Sequence, residues 1–187
     1  MKKQKKNSRL NYYFLFVVVV IYIVTAFIMS GTGLYLGLSG RRIVGDVLQN
    51  AGIEINAVLI MVCAALALRF ALARDFRAHR RWALRLFLVV SGVWFFRVGL
   101  MLSFAVFGGP FGFDPATFQG PFLTFLSFAQ YLLPLGVLEA YFRARESASP
   151  TGRLVMAGVL VALTAAMGVG IFAATLGMWL PRVSGVL

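Results

Sequence analysis

Apolar residues are gathered into five long runs separated by short polar segments. The runs cover about residues 12–29, 55–72, 82–107, 122–142 and 154–180. Each is near or above the roughly 18–20 residues that an α-helix needs to cross about 30 Å of hydrocarbon. The pattern predicts an all-α fold, a polytopic transmembrane helix bundle with five spans. We expect one transmembrane domain, residues 11–187, after a basic cytoplasmic tail, residues 1–10.

The basic residues flank these runs and predict an orientation. The chain has 18 Lys and Arg against 6 Asp and Glu, a net charge of +12. With the N-terminus in the cytoplasm, most basic residues fall in cytoplasmic segments, as the positive-inside rule requires. Only Arg41, Arg42 and Arg182 then lie outside, while Arg97 lies within the membrane. We therefore expect the N-terminus in and the C-terminus out.

Composition agrees with lipid as the solvent. Hydrophobic residues make up 60% of the chain and charged residues 13%, whereas soluble domains have about 45–50% apolar and about 25% charged residues. The basic residues do not lie on one soluble face, so the sequence argues against nucleic-acid binding.

Glycine, proline and small residues predict local features of the helices. Gly31–Gly33 and Gly37–Gly40 predict a flexible first outer connection, and Pro134 predicts a kink in the fourth span. The last span has a small residue at every fourth position, which predicts a close helix–helix contact. These residues are Gly158, Ala162, Ala166, Gly170 and Ala174.

A basic segment, residues 74–82, leads into the third span, and Arg85 follows it. It contains His79, Arg80, Arg81 and Trp82. One interpretation is a topology anchor with an aromatic residue at the membrane interface. The other is a pocket for an anionic head group, because convergent guanidinium groups bind phosphate and carboxylate bidentately.

Arg97 and Glu139 are charged residues within predicted spans. A charge at that depth needs a partner or a wet cavity. Arg97 either snorkels outward, with Glu54 or Asp114 as counter-charge, or belongs to a ligand or ion site between the third and fourth spans. The fourth span supplies polar groups for such a site, namely Thr124, Ser127, Gln130 and Tyr131. For Glu139 we favour a structural ion pair with Arg85 or Arg69 over a proton relay.

The sequence lacks the residues that metal sites, haem sites and hydrolytic active sites need. Cys63 is the only cysteine and His79 the only histidine, which argues against a metal site and bis-histidine haem ligation. No phosphate-binding loop or hydrolase motif is present, so a hydrolytic enzyme is disfavoured.

Two stretches of the chain carry a family resemblance: His79-Arg-Arg-Trp82, followed by Arg85 and Arg97, and the later Gln130-Tyr-Leu-Leu-Pro-Leu-Gly-Val-Leu-Glu139. In these stretches the chain resembles a family of uncharacterised bacterial membrane proteins, catalogued as domain of unknown function 2306. The resemblance covers roughly Ala71–Glu139, with Ala83 where methionine is usual. It implies a bacterial membrane location and a shared site formed by His79, Arg80, Arg81, Trp82, Arg85, Arg97 and Glu139. Family members often have further histidines in earlier helices, and this chain lacks them.

We expect a non-enzymatic, multi-pass protein of the inner (plasma) membrane, an accessory or binding subunit. Its Arg/His cluster, with Arg97, Gln130 and Glu139, would engage an anionic lipid head group, a lipophilic cofactor or a membrane partner, which includes a second copy of the chain. We expect no cofactor of its own. A haem- or quinone-linked redox protein is the alternative, and a small transporter or channel is a further one.

Overall fold

The computed structural model of the protein describes residues 2–39, 45–147 and 149–183, and their regular structure is helical. The prediction of an all-α bundle is confirmed. The helices are α1 (Lys2–Leu38), α2 (Val47–Leu72), α3 (Phe76–Val90), α4 (Gly92–Phe107), α5 (Pro121–Glu146) and α6 (Pro150–Ala174). A π-helical turn, Thr175–Trp179, then leads into a last helical turn, α7 (Leu180–Val183).

Four segments in the described ranges are each long and apolar enough to cross a membrane: Val18–Leu38 in α1, α2, α5, and Pro150–Gly177, which includes α6. The pair α3 and α4 passes the same test together, with a bend of 51° between its two helices. The number of spans is therefore four, or five when the bent pair is counted as one span.

The first connection differs from its prediction. Helix α1 continues through Gly31 and Gly33, so the flexible connection expected there is wrong. Transmembrane helices tolerate glycine, and at Gly37 the missing side chain leaves room for the Glu54 carboxylate of α2. Helix α2 begins at Val47, and Arg41 and Arg42 lie outside the described residues.

The third apolar run, expected as one span, is interrupted at Ser91. Beside the break, the side-chain amide of Asn56 on α2 donates a hydrogen bond of 3.2 Å to the Val89 carbonyl. Gly92 is buried there, and a Cβ on it would lie 2.9 Å from Asn56 Nδ2. Glycine thus allows the break to pack directly against α2, which stabilises the bend.

Helix α2 packs against α1, α3 and α5, while α4 packs against α5 and α6. Two apolar cores result, one around Tyr131 and one around Leu123. Helix α5 contributes to both cores and continues through Pro134. The bundle is therefore organised around α5.

The small-residue stripe of α6 packs over part of its length. A Cβ on Gly170 would lie 2.7 Å from both Val98 Cγ1 and the Val98 carbonyl oxygen of α4, so α4 and α6 touch here. At Gly158, by contrast, a Cβ would meet nothing within 4 Å. Between these two glycines, α6 residues from Leu160 to Met167 form one wall of a cavity.

Candidate functional site

A cavity of about 1120 Å³, which we call the cleft, lies between the bent α3–α4 pair, α5 and α6. Its walls are mainly apolar, with Leu88 of α3, Leu102 of α4, Leu133 of α5 and Leu163 of α6 among the lining residues. On α5 the lining extends from Leu126 to Glu146, which is about 30 Å of helix. The cleft exceeds the roughly 300–1,000 Å³ of pockets for drug-sized ligands. It has the dimensions of a long, narrow ligand.

One end of the cleft, the basic mouth, is lined by Arg77, Arg80 and Arg81 of α3 and by Arg145 of α5. Arg80 and Arg81 follow Arg77 by three and four residues, which places both beside Arg77 on the helix surface. Glu146 also lines the mouth, where it forms an ion pair with Arg81. These five side chains leave a net positive charge at the mouth, as an anion site requires.

Arg85 is held inside the protein. Its Nε and Nη2 atoms lie 2.8 Å and 2.6 Å from Glu139 Oε1. Its guanidinium carbon also lies 4.6 Å from the centre of the Trp82 ring and 5.7 Å from that of Phe142. The predicted structural ion pair is confirmed, and it joins α3 to α5 directly below the mouth. Arg85, Glu139 and Trp82 therefore support the site.

His79 also has a structural contact. Its Nδ1 atom lies 2.8 Å from the Ala67 carbonyl oxygen of α2, a geometry that requires the Nδ1–H tautomer or the imidazolium. The bond ties the start of α3 to the end of α2. Across the described ranges, no three His, Cys, Asp or Glu side chains are grouped as a metal site.

Arg97 lies away from the cleft, exposed on α4. In the described part of the chain it forms no ion pair with Glu54 or Asp114. Glu54 lies against Gly37, and Asp114 accepts hydrogen bonds within its own loop. The expectation of a counter-charge for Arg97 within the chain is thus not met by these residues.

The polar residues expected beside Arg97 fall in three different places. Gln130 lines the cleft. Ser127 and Tyr131 are buried, and Ser127 donates to the Thr124 carbonyl at 2.7 Å. The Thr124 hydroxyl lies 3.5 Å from Asp46, which caps α2. Of the four, Gln130 supplies a polar group to the cleft.

The other end of the bundle is covered by the loop between α4 and α5. Phe113 and Phe118 of this loop pack against the core around Leu123. Asp114 holds the turn, because its carboxylate accepts hydrogen bonds of 2.9 Å from the Ala116 N–H and the Thr117 hydroxyl. These bonds, the backbone one first, lower the pKa of the Asp114 carboxyl below its ordinary value. Aromatic side chains therefore fill the end opposite the basic mouth.

Comparisons with known proteins give no relative: no protein-family model, curated protein or solved structure matches this chain. The resemblance to the uncharacterised family stays a prediction. The geometry of the cleft and its basic mouth is therefore what indicates a function.

Sequence reasoning placed Arg80, Arg81 and Gln130 in a site, and all three line the cleft. It missed Arg77 and Arg145, although the spacing of Arg77 to Arg81, four residues, places both on one helix face. Nothing in the sequence pattern distinguishes Arg145 from its neighbour Arg143, because only the packing of α5 decides which of them faces the cleft.

Proposed function

We propose that this protein binds a long-chain anionic amphiphile, a membrane lipid with a phosphate or carboxylate head group, and that it does so as a non-enzymatic protein of the inner (plasma) membrane. The observation that carries the proposal is the cleft, which extends about 30 Å along α5 from an arginine-lined mouth into an apolar groove. The two parts match the two halves of such a lipid.

The head group would supply most of the selectivity. A lipid chain is already in an apolar solvent, so its entry into the cleft gains little hydrophobic free energy. Arg77, Arg80 and Arg145 form no ion pair among the described residues. Their guanidinium groups are therefore available for charge-assisted hydrogen bonds to an anion.

The proposed orientation supports this ligand class. The positive-inside rule places the basic mouth on the cytoplasmic side, where the leaflet carries anionic lipids. The aromatic packing at the opposite end favours binding over conduction through the bundle.

The proposal is tested by lipid selectivity of the purified protein in nanodiscs. Native mass spectrometry would compare retention of phosphatidylglycerol with that of phosphatidylcholine with the same chains. We expect the anionic lipid to bind at least tenfold more tightly. The double variant Arg80→Gln/Arg145→Gln should lose about 2 kcal/mol, or roughly 30-fold, at about 1 kcal/mol for each basic residue near an anionic surface.

Arg143→Gln is the matched control. Arg143 is exposed on the same helix as Arg145, two residues away, and does not line the cleft. It should leave selectivity within about twofold of wild type. Equal retention of the two lipids by the wild-type protein would refute binding in the cleft. So would an equal loss of selectivity in the Arg143→Gln variant and in a single Arg145→Gln variant.

A further inference from the structure

Two buried side-chain amides, those of Gln130 and Asn56, lie close together beside the α3–α4 break, and Gln130 also lines the cleft. A Cβ on Gly92 would lie 3.6 Å from Gln130 Oε1 and 3.7 Å from Asn56 Cγ, so the two side-chain amides meet beside the α3–α4 break. Both residues are nearly buried, with exposures of 5% for Gln130 and 6% for Asn56. Gln130 Oε1 accepts no hydrogen bond among the described residues. A buried oxygen of this kind is destabilising unless something donates to it.

The orientation of both amides is determined by backbone carbonyls. Asn56 Nδ2 donates to the Val89 carbonyl at 3.2 Å, and Gln130 Nε2 donates to the Ser127 carbonyl at 2.8 Å. Rotating either amide by 180° would place an oxygen against a carbonyl oxygen, which is repulsive. The oxygens of both side chains are therefore acceptors.

Pro134 adds a second acceptor to the cleft. Proline has no N–H, so the backbone carbonyl four residues earlier, that of Gln130, loses the helical donor that another residue would supply. Gln130 and Pro134 both line the cleft on the same face of α5. The freed carbonyl thus lies on the cleft side of the helix.

We propose that the amide oxygen of Gln130, together with the carbonyl freed at Pro134, forms a second polar subsite of the cleft, which binds a hydrogen-bond donor, a hydroxyl group, part-way along the ligand chain. This inference rests on the proposed function. Gln130 lies about 22 Å along α5 from Arg145. The Arg145 side chain covers part of that distance, so the ligand is an anionic amphiphile with a hydroxyl on the order of 15 Å from its head group.

Three fatty acids distinguish binding at this subsite from binding at the basic mouth. Stearate has the anion alone, 12-hydroxystearate adds a hydroxyl along the chain, and 2-hydroxystearate adds one beside the head group. Their affinities would be measured on the full chain in phosphatidylcholine nanodiscs. We expect 12-hydroxystearate to bind about fivefold more tightly than stearate, the effect of one net hydrogen bond.

Variants then locate the contact. Gln130→Leu should remove the preference for 12-hydroxystearate over stearate and leave the ratio of 2-hydroxystearate to stearate unchanged. Thr164→Val is the control, because Thr164 lines the opposite wall and its hydroxyl already donates to the Leu160 carbonyl at 2.7 Å. The Thr164→Val variant should keep the fivefold preference for 12-hydroxystearate. Loss of that preference in this variant would overturn the assignment of the contact to Gln130.

Wild-type protein alone decides the main point, whether or not Gln130→Leu folds. Equal affinity for stearate and 12-hydroxystearate, with binding that still depends on Arg80 and Arg145, would overturn this inference and leave the proposed function intact. Stearate binding that the Arg80/Arg145 double variant does not weaken would overturn both.

Discussion

If the basic mouth binds an anion as proposed, Glu146 should compete with that anion for Arg81, and removal of its carboxylate should strengthen binding. Its carboxylate lines the cleft and forms an ion pair with Arg81, whose guanidinium carbon also lies 5.0 Å from the centre of the Phe142 ring. The ring contact keeps Arg81 at the mouth when the carboxylate is gone. The substitution Glu146→Gln should therefore release a positioned guanidinium group for the ligand.

The solvent exposure of the Arg81–Glu146 ion pair determines how large the gain in affinity should be. The side chain of Arg81 is 39% exposed and that of Glu146 is 63% exposed, and exposed pairs of this kind contribute up to about 1 kcal/mol. In the wild type, an anion can bind Arg81 only when the Arg81–Glu146 ion pair breaks, so the free energy of binding is less favourable by this contribution. Without the carboxylate, the affinity for phosphatidylglycerol should rise by up to about fivefold, while the stability of the ligand-free protein changes by less than about 1 kcal/mol.

The assay is a phosphatidylglycerol titration in phosphatidylcholine nanodiscs at low and high salt. The gain should shrink at about 1 M salt, where the screening length falls to about 3 Å. Asp75→Asn is the matched control, because it removes one negative charge at the same end of the bundle from a residue that does not line the cleft. Unchanged or weaker binding in Glu146→Gln, or an equal gain in the Asp75 variant, would show that Glu146 does not compete for the ligand.

Three further predictions concern stability. Glu139→Gln leaves Arg85, which is only 19% exposed, without its carboxylate; thermal unfolding in detergent should show a loss of about 1–2 kcal/mol, and no loss would mean that the pair is not structural. Gly170→Leu should destabilise the protein by about 1–3 kcal/mol through overpacking against α4, whereas Gly168→Leu, where a Cβ meets nothing within 4 Å, should melt like wild type. Because its folded-state pKa is lowered, Asp114 stabilises the loop at pH values above its unfolded pKa of about 3.9, and this contribution is lost as the pH falls through the folded-state pKa. Asp114→Ala should therefore speed hydrogen exchange of the loop at neutral pH, and the difference from wild type should narrow in acid; a constant difference would contradict the role of the carboxylate.

The bend between α3 and α4 shows where sequence reasoning stops. The apolar run from 82 to 107 is continuous, and hydropathy alone indicates one straight span. What stabilises the break is Asn56, which is far away in the sequence and reaches the Val89 carbonyl only when α2 packs against it. Since the cleft is bounded by both helices of the bent pair, its shape could not be predicted from the apolar pattern.

The site shows the same division between residue type and residue role. Arg81 and Arg85 are four residues apart and look equivalent in sequence. The structure gives Arg85 a carboxylate, Glu139, at a half-buried position between two helices, and gives Arg81 the exposed Glu146 at the mouth. The first arrangement supports the fold, and the second leaves a guanidinium group that an anion can reach.

The sequence by itself determined that the chain forms an apolar helix bundle with one strongly basic end. The reason is local: about 20 consecutive apolar residues satisfy both the hydrocarbon core and their own backbone hydrogen bonds as a helix, and the basic residues between such runs stay in water. Only the tertiary structure decided which polar groups face the cleft. Arg143 and Arg145 differ in this because the packing of α5 places Arg145, but not Arg143, on the wall of the cavity. Gln130 and Asn56 come close because α2 and α5 pack together beside Gly92, which has no side chain to separate them.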